Sequence, residues 1–533
     1  MTQLPQTLRR REAPVRAAIG AGATAARAMA AGQAVVGGLV TEAAFPDRSW
    51  WPLALVGVAL LVLALEHAPV RRAAFLGLAW GLAFFVPHLA WADRSAGTLP
   101  WLLLATLQAV LVAAGTAGWS LVARVPGLAG NPGIAATAFA LTWVATEQLR
   151  ASWPFGGFPW GRLAFSQTDG PLLRLAWLGG APLVSAAVAA GGFALAVGWR
   201  AALRRRFARS AVACAVAAGL VAAPLALPIA VGQQAGSLRL GAVQGNVTVP
   251  AGGDPARAVL DNHVAETLTL QHAASGKALD LVLWPENATD IDPRADGRAT
   301  AAVDHAARAV GAPILVGTSR YVDAGRYNEL LLWQPGRGPA ASYAKQRPVP
   351  FGEYIPFRGL ARRFSPAVDR VQVDMVAGTA PALVRVDVPR LGRPVPVATV
   401  ICFEVAFDDL VRDAVTRGAE VIVVATNNAS FGRTAESTQQ LAMSRLRAVE
   451  HGRAVIQVST VGVSAVVAPD GAIGQRTALF TADAMVAEVP LRTTLTPADR
   501  LGALPGALAV TGTGALLVAA AAWRLRTRAR RPG

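Results

Sequence analysis

The apolar residues of this chain fall into two regimes. Up to about residue 232 they form long stretches, with candidate spans at roughly 29–45, 50–66, 73–92, 99–123, 132–149, 174–199 and 209–231, and another near 503–523. A helix needs about 20 apolar residues to cross a bilayer core. These eight segments therefore predict a multi-pass helical membrane bundle. Between 237 and 492 the pattern changes to short runs: Leu238–Val243, Leu279–Trp284, Pro313–Thr318, Glu329–Trp333, Val395–Ile401, Val421–Thr426, Ala454–Ser459 and Val463–Ala468. Helical stretches such as Pro255–His272, Arg298–Ala309 and Ala435–Glu450 lie between them. Alternating strands and helices predict an α/β unit with helix-covered sheets. The stretches at 335–339 and 389–396, which carry Pro and Gly, read as loops. The expected order is a membrane bundle over 1–232, an α/β domain over 237–492, a last span at 503–523 and a basic tail at 524–533.

Composition sharpens the membrane reading. The 533 residues are 53% hydrophobic and only 16% charged, against roughly 25% charged in soluble domains. The net charge of +17 raises the question of nucleic acid, but there is no RNA-binding signature, zinc-finger spacing or continuous basic helix, so no nucleic-acid partner is expected. The charge instead reports topology. Arg9, Arg10, Arg11 and Arg16 precede the first span, and Arg71 and Arg72 fall between the second and third. Arg124 follows the fourth, and Arg200, Arg204, Arg205, Arg206 and Arg209 lie between the sixth and seventh. Arg524, Arg526, Arg528, Arg530 and Arg531 follow the eighth. With eight spans all of these share one side, which the positive-inside rule makes cytoplasmic. The 237–492 domain then faces outward. The basic, apolar N-terminus reads as a first anchor rather than a signal peptide, because apolar segments continue long after it. Gly77 and Gly81 form a GxxxG that predicts close helix packing.

Cys402 carries the clearest chemistry. It ends the run Pro396–Ile401 and precedes the helical pattern Phe407–Arg412. A nucleophile on a strand-to-helix turn is exposed at a sheet edge, where a helix N-terminus favours the thiolate. Two more polar islands interrupt strand-like runs, Trp284-Pro285-Glu286 and Tyr343-Ala344-Lys345. Glu286 is a candidate proton acceptor and Lys345 a candidate oxyanion stabiliser. No histidine lies near these motifs, which argues against a Cys-His protease. Cys214 sits in an apolar segment, so no disulfide with Cys402 is expected, and the six histidines lack metal-ligand spacing. No metal or other cofactor is expected. The loop Trp153–Trp160 reads either as an aromatic interface belt or as a wall guiding a lipid outward. Glu147, near a span end, is a polar anchor without assigned chemistry. Gln439–Met443 reads as the core face of a helix. Asn427 and Asn428 read as turn formers or as site-lining residues.

Five blocks occur in the order seen in the carbon-nitrogen hydrolases of the nitrilase superfamily: Gln244-Gly245-Asn246, Trp284-Pro285-Glu286, Tyr343-Ala344-Lys345, Pro350–Pro356 and Ile401-Cys402-Phe403-Glu404. The Pro350–Pro356 block with the membrane half resembles the apolipoprotein N-acyltransferases, and the resemblance covers nearly the whole chain. It implies an α-β-β-α nitrilase-like sandwich on a membrane bundle. It also implies a Glu286–Lys345–Cys402 triad of base, oxyanion stabiliser and nucleophile. Glu353 is implied to support the site and Glu404 to matter for activity. The plainer readings are a salt bridge of Glu353 to Lys345 and a helix-start carboxylate at Glu404. Asn328 matches a position near the active site. Phe403 stands where tyrosine is common, and the segment 249–254 lacks the tryptophan many members carry.

The activity implied is transfer of a fatty acyl chain, through a Cys402 thioester, from a membrane phospholipid to the α-amine of a diacylglyceryl-cysteine apolipoprotein. The implied setting is the cell membrane, with the catalytic domain on its extracytoplasmic face. Both substrates carry chains costing about 0.8 kcal/mol per CH₂ to expose to water, which explains a catalytic unit built on membrane helices. The rivals are a membrane-anchored amidase acting on a small amide and a non-catalytic binding scaffold.

Overall fold

The computed structural model describes residues 6–128, 130–229, 231, 232, 234–273 and 276–529, with backbone alone for 6–23, 528 and 529. The basic side chains expected before the first span, and the end of the basic tail, therefore fall outside the described residues.

The N-terminal half is helical: α1 Gln6–Glu42, α2 Pro52–Ala64, α3 Val70–His88, the short α4 Trp91–Ala96, α5 Thr98–Val122, α6 Pro132–Ser152, α7 Ala176–Leu203 and α8 Phe207–Ala222. Five helical segments are long and apolar enough to cross a membrane among the described residues: Val70–His88, Thr98–Val122, Pro171–Leu203, Phe207–Ala226 and Leu504–Thr527. The three other expected spans also fall on helices, but α2 has only 13 residues. α6 carries Glu147 and Arg150 near its end. The GxxxG of α3 packs as expected. A Cβ on Gly77 would lie 2.0 Å from the Thr116 hydroxyl of α5, and one on Gly81 would lie 2.7 Å from Ala109 Cα. The close approach lets Thr116 Oγ1 donate to Ala73 O at 2.9 Å.

The polar half holds two six-stranded sheets. The strands are β1 Ser237–Gln244, β2 Leu281–Leu283, β3 Ile314–Val322, β4 Gly325–Gln334, β5 Gly338–Ala344, β6 Leu383–Val388, β7 Arg393–Ile401, β8 Val421–Thr426, β9 Val455–Ser459, β10 Ala465–Val467, β11 Ile473–Arg476 and β12 Asp483–Pro490. One sheet has the order β12-β1-β2-β3-β4-β5 and the other β11-β10-β9-β8-β7-β6. In each, a parallel core (β1-β2-β3 or β7-β8-β9) is extended by antiparallel strands. Side chains of a strand alternate between its faces. Leu281, Leu283, Leu330 and Leu332 thus enter the core shared with Val397 and Val423 of the second sheet. Val282, Trp284, Leu331 and Trp333 instead meet α9 (Pro255–Ala273) and α10 (Gly297–Val310). With both faces buried, the strands read as continuous apolar runs.

The short α11 (Arg358–Ala361) lies in the loop after β5; α12 (Asp408–Thr416) and α13 (Glu436–His451) cover the second sheet, and α14 (Pro497–Leu501) leads to α15 (Leu504–Ala529) in the bundle. The stretch read as a loop at 389–396 ends early, because β7 begins at Arg393. Pro394 and Pro396 lie where β7 pairs only with β6, before its pairing with β8 starts at Val397, so their missing N–H groups interrupt no ladder on the β8 side. Likewise β5 begins at Gly338, inside the other expected loop.

Candidate active site

Cys402 directly follows β7, at the edge formed by the C-terminal ends of the parallel strands. Ile401 pairs with Ala425, and Thr426 with Ser459, so Cys402 lies beside Thr426 and Thr426 beside Ser459. Cys402 has φ 52°, a left-handed conformation uncommon for a residue with a Cβ. It opens a 3₁₀ turn, Cys402–Ala406, and α12 starts only at Asp408. The expected help from a helix N-terminus is therefore absent. Burial, and next the charge of Glu286, push the Cys402 thiol above its ordinary value, while Lys345 pulls it down. The resting group is a thiol that needs a base.

The charged groups come from the first sheet. Glu286 follows β2, and its Oε1 accepts from Lys345 Nζ at 3.2 Å and Asn328 Nδ2 at 2.6 Å. Its Oε2 accepts the backbone N–H of Asn427 at 2.8 Å, which ties it to the turn after β8. Lys345, one residue past β5, donates to Glu353 Oε1 at 2.6 Å, and Glu353 Oε2 accepts from Val349 N at 2.7 Å. Lys345 is buried. Burial alone would lower its pKa, but Glu286 and Glu353 outweigh it and hold the group above the usual lysine value. A buried ion is tolerated when it is paired and hydrogen-bonded, and here one ammonium bridges two carboxylates. Asn328 belongs to β4, and its backbone carbonyl accepts the N–H of Lys345 at 2.9 Å.

Glu404 is fully buried. Its carboxylate accepts from Ile401 N (2.9 Å), Gln346 N (2.6 Å), Arg347 N (3.1 Å) and Tyr343 Oη (2.9 Å). Burial pushes it up to about 7, against these donors and the Lys345 charge. It thus ties the turn carrying Cys402 to the strand end carrying Lys345. Its bond from Ile401 N also caps the first turn of the Cys402–Ala406 helix, as the plainer reading of a helix-start carboxylate expected.

Three residues that sequence reasoning left open or assigned to the core complete the site. Asn427 supplies the N–H that holds Glu286. Asn428 and Gln440 of α13 lie behind the sulfur, with Gln440 Nε2 3.5 Å from Cys402 Sγ. Polar residues at the C-terminal edge of parallel strands β7, β8 and β9 were the signal that could have exposed them.

The aromatic loop divides between two roles. Phe158 and Trp160 stack on Phe403, with ring centroids at 5.7 and 6.3 Å. Phe403 is thereby a docking contact between α/β domain and bundle. Trp160 Nε1 and Trp91 Nε1 both donate to Gln439 Oε1 of α13, at 2.7 and 3.2 Å. Asp408 accepts from Arg162 at 2.6 Å and from Arg447 at 2.7 Å. Glu147 anchors the same loop by accepting from Leu163 N at 2.9 Å. Trp153 and Phe155 remain exposed, and Phe155 meets Phe351 and Phe357 beside the Glu353 loop.

Comparison with known proteins gives two family matches. Residues 37–194 match the apolipoprotein N-acyltransferase N-terminal domain, and residues 239–496 match carbon-nitrogen hydrolase. The chain is 38% identical to an apolipoprotein N-acyltransferase of Mycolicibacterium smegmatis, over 91% of this chain and 84% of that one. It is 33% identical to the protein of that name from Azotobacter vinelandii, over 91% of this chain and 93% of the relative. A third, from Chromobacterium violaceum, is 32% identical over 92% and 94% respectively.

Proposed function

The chain belongs to the apolipoprotein N-acyltransferase family, and from that premise we propose that Cys402 carries a fatty acyl chain between two lipid substrates. It is a membrane enzyme that N-acylates lipoproteins. The observation that carries the site assignment is the junction of a buried carboxylate, a buried ammonium and a thiol: Lys345 bridges Glu286 and Glu353, and both Glu286 and Lys345 act on the charge of Cys402.

The thiol proton passes to Glu286, and sulfur attacks an ester carbonyl of a phospholipid. The ammonium of Lys345 meets the developing oxyanion. The carbon–oxygen bond then breaks, the lysophospholipid leaves with the proton from Glu286, and a thioester remains. The free α-amine of a diacylglyceryl-cysteine attacks that thioester and gives up a proton to Glu286. The thiolate is expelled and reprotonated as the amide forms. Excluding water protects the thioester from hydrolysis, and Phe403, next to Cys402, packs against Phe158 and Trp160 of the bundle loop. Glu353 and Asn328 hold Lys345 and Glu286, and Glu404 holds the turn. By the positive-inside rule the clustered arginines support a catalytic domain on the extracytoplasmic face of the cell membrane.

Intact mass after incubation with phospholipid tests the reading. A fatty-acyl adduct is expected on Cys402, and neither adduct nor transfer in Cys402→Ala. Transfer by Cys402→Ala would overturn it, and ammonia release from small amides without lipid would favour an amidase.

A further inference from the structure

Gln440 is fully buried on α13 and makes three contacts. Its Oε1 accepts from Thr426 Oγ1 at 2.7 Å and from Asn428 Nδ2 at 3.1 Å, and its Nε2 lies 3.5 Å from Cys402 Sγ. A side-chain amide has a donor end and an acceptor end, and only the donor end suits a thiolate. The end presented to sulfur is fixed by what lies beyond. Asn428 Nδ2 also donates to Glu436 Oε2 at 2.6 Å, and its Oδ1 accepts from Ser459 Oγ at 2.5 Å. Ser459 Oγ in turn accepts the N–H of Gly462 at 2.8 Å. The accepting oxygen of Glu436 therefore turns the NH₂ of Asn428 toward Glu436 and Gln440, and that turns the NH₂ of Gln440 toward sulfur. Gly462 makes room for this: a Cβ there would lie 2.1 Å from Asn428 Oδ1 and 2.7 Å from Ser459 Oγ.

We propose that Gln440 is a further catalytic residue, its amide N–H donating to the Cys402 sulfur as the thiolate forms, and that Glu436 is a positioning residue that fixes this amide through Asn428. The proposal rests on the reading of Cys402 as nucleophile. The ionisable groups acting on that sulfur are Glu286, Lys345 and Glu436. Lys345 is held on the opposite wall by two carboxylates. Gln440 supplies a donor on this wall, in a place closed to bulk water.

The test follows Cys402 by two readouts in the full-length protein in phosphatidylethanolamine-containing micelles: the rate of acyl-adduct formation, and the pH midpoint of alkylation by iodoacetamide. A hydrogen bond to a charged group corresponds to about ten- to hundredfold in rate. Gln440→Met should slow adduct formation by about that factor and move the alkylation midpoint to higher pH. Gln440→Glu should be slower still, with the deficit growing as pH rises. Asn428→Leu, which keeps Gln440 but frees its amide, should shift the midpoint in the same direction. A folded Gln440→Met with wild-type rate and midpoint overturns the proposal and leaves the nucleophile untouched. Should that variant lose its fold, an unshifted midpoint in Asn428→Leu overturns it instead. A wild-type protein with no adduct on Cys402 sinks the underlying reading, whatever the variants do.

Discussion

The cleft has two unlike walls. The wall built from the first sheet is ionic, with the ammonium of Lys345 within 3.2 Å of both Glu286 and Glu353. The wall built from the second sheet presents neutral groups to the sulfur, the hydroxyl of Thr426 and the amide of Gln440. Its carboxylates stand one layer back, Glu404 under the turn and Glu436 behind Asn428. In the proposed reaction the ionic wall would handle the charge that moves during acyl transfer. The neutral wall holds the nucleophile in place, where a fixed charge would bias one protonation state of sulfur throughout the cycle.

The largest effect should come from breaking the ionic wall at its centre. Lys345→Met leaves Glu286 and Glu353 buried without their cation, and losing one partner of a buried ion pair costs about 3–5 kcal/mol. Chemical denaturation should show that loss, together with abolished adduct formation. A variant as stable as wild type would mean the two carboxylates do not depend on the ammonium. Glu286→Gln keeps the shape of the side chain but removes the proton acceptor. General-base catalysis contributes about 10²–10⁴-fold, so adduct formation should fall by that order. A drop below tenfold would move the base elsewhere.

The same contrast explains what was legible in the sequence. Glu286 and Lys345 are charges that interrupt strand-like apolar runs, and such interruptions stand out. Their order along the chain also matched a known family. Gln440 and Asn428 are neutral, and Gln440 sits on a helix face that is buried from Gln439 to Met443. Core and site look alike there, because the helix packs against sheet and bundle at once. Glu404 was noticed through its place beside Cys402, but its role depends on backbone donors from residues 346 and 347, brought close only by the sandwich. Among the strands, β5, β6, β11 and β12 were not recognised. Each lies outside the parallel cores and has solvent-exposed positions, and so lacks the continuous apolar run of the central strands.

Glu404→Gln gives an intermediate effect. Its carboxylate gathers three backbone N–H groups and the Tyr343 hydroxyl. An amide has one acceptor oxygen fewer, and a buried donor left unpaired costs about 1–3 kcal/mol. A lower melting temperature and slower adduct formation are expected together, because the same carboxylate ties the Cys402 turn to the Lys345 strand end. Loss of stability with an unchanged rate would separate the two functions.

The smallest effect separates the walls by pH. Burial, and then the charge of Glu286, push Glu436 up from 4.5 to about 8, while its bond from Asn428 opposes them. The folded protein thus holds a proton on Glu436 that the unfolded chain releases near its ordinary value. The stability that Glu436 contributes is complete below pH 4.5 and is lost as pH rises through about 8. For a single proton the slope is at most about 1.4 kcal/mol per pH unit. Between pH 6 and 8 the melting temperature should therefore decline, and Glu436→Gln, which cannot ionise, should decline less steeply. An identical slope in the two proteins would mean that Glu436 is already ionised at pH 6, and that the neutral wall is backed by a permanent charge.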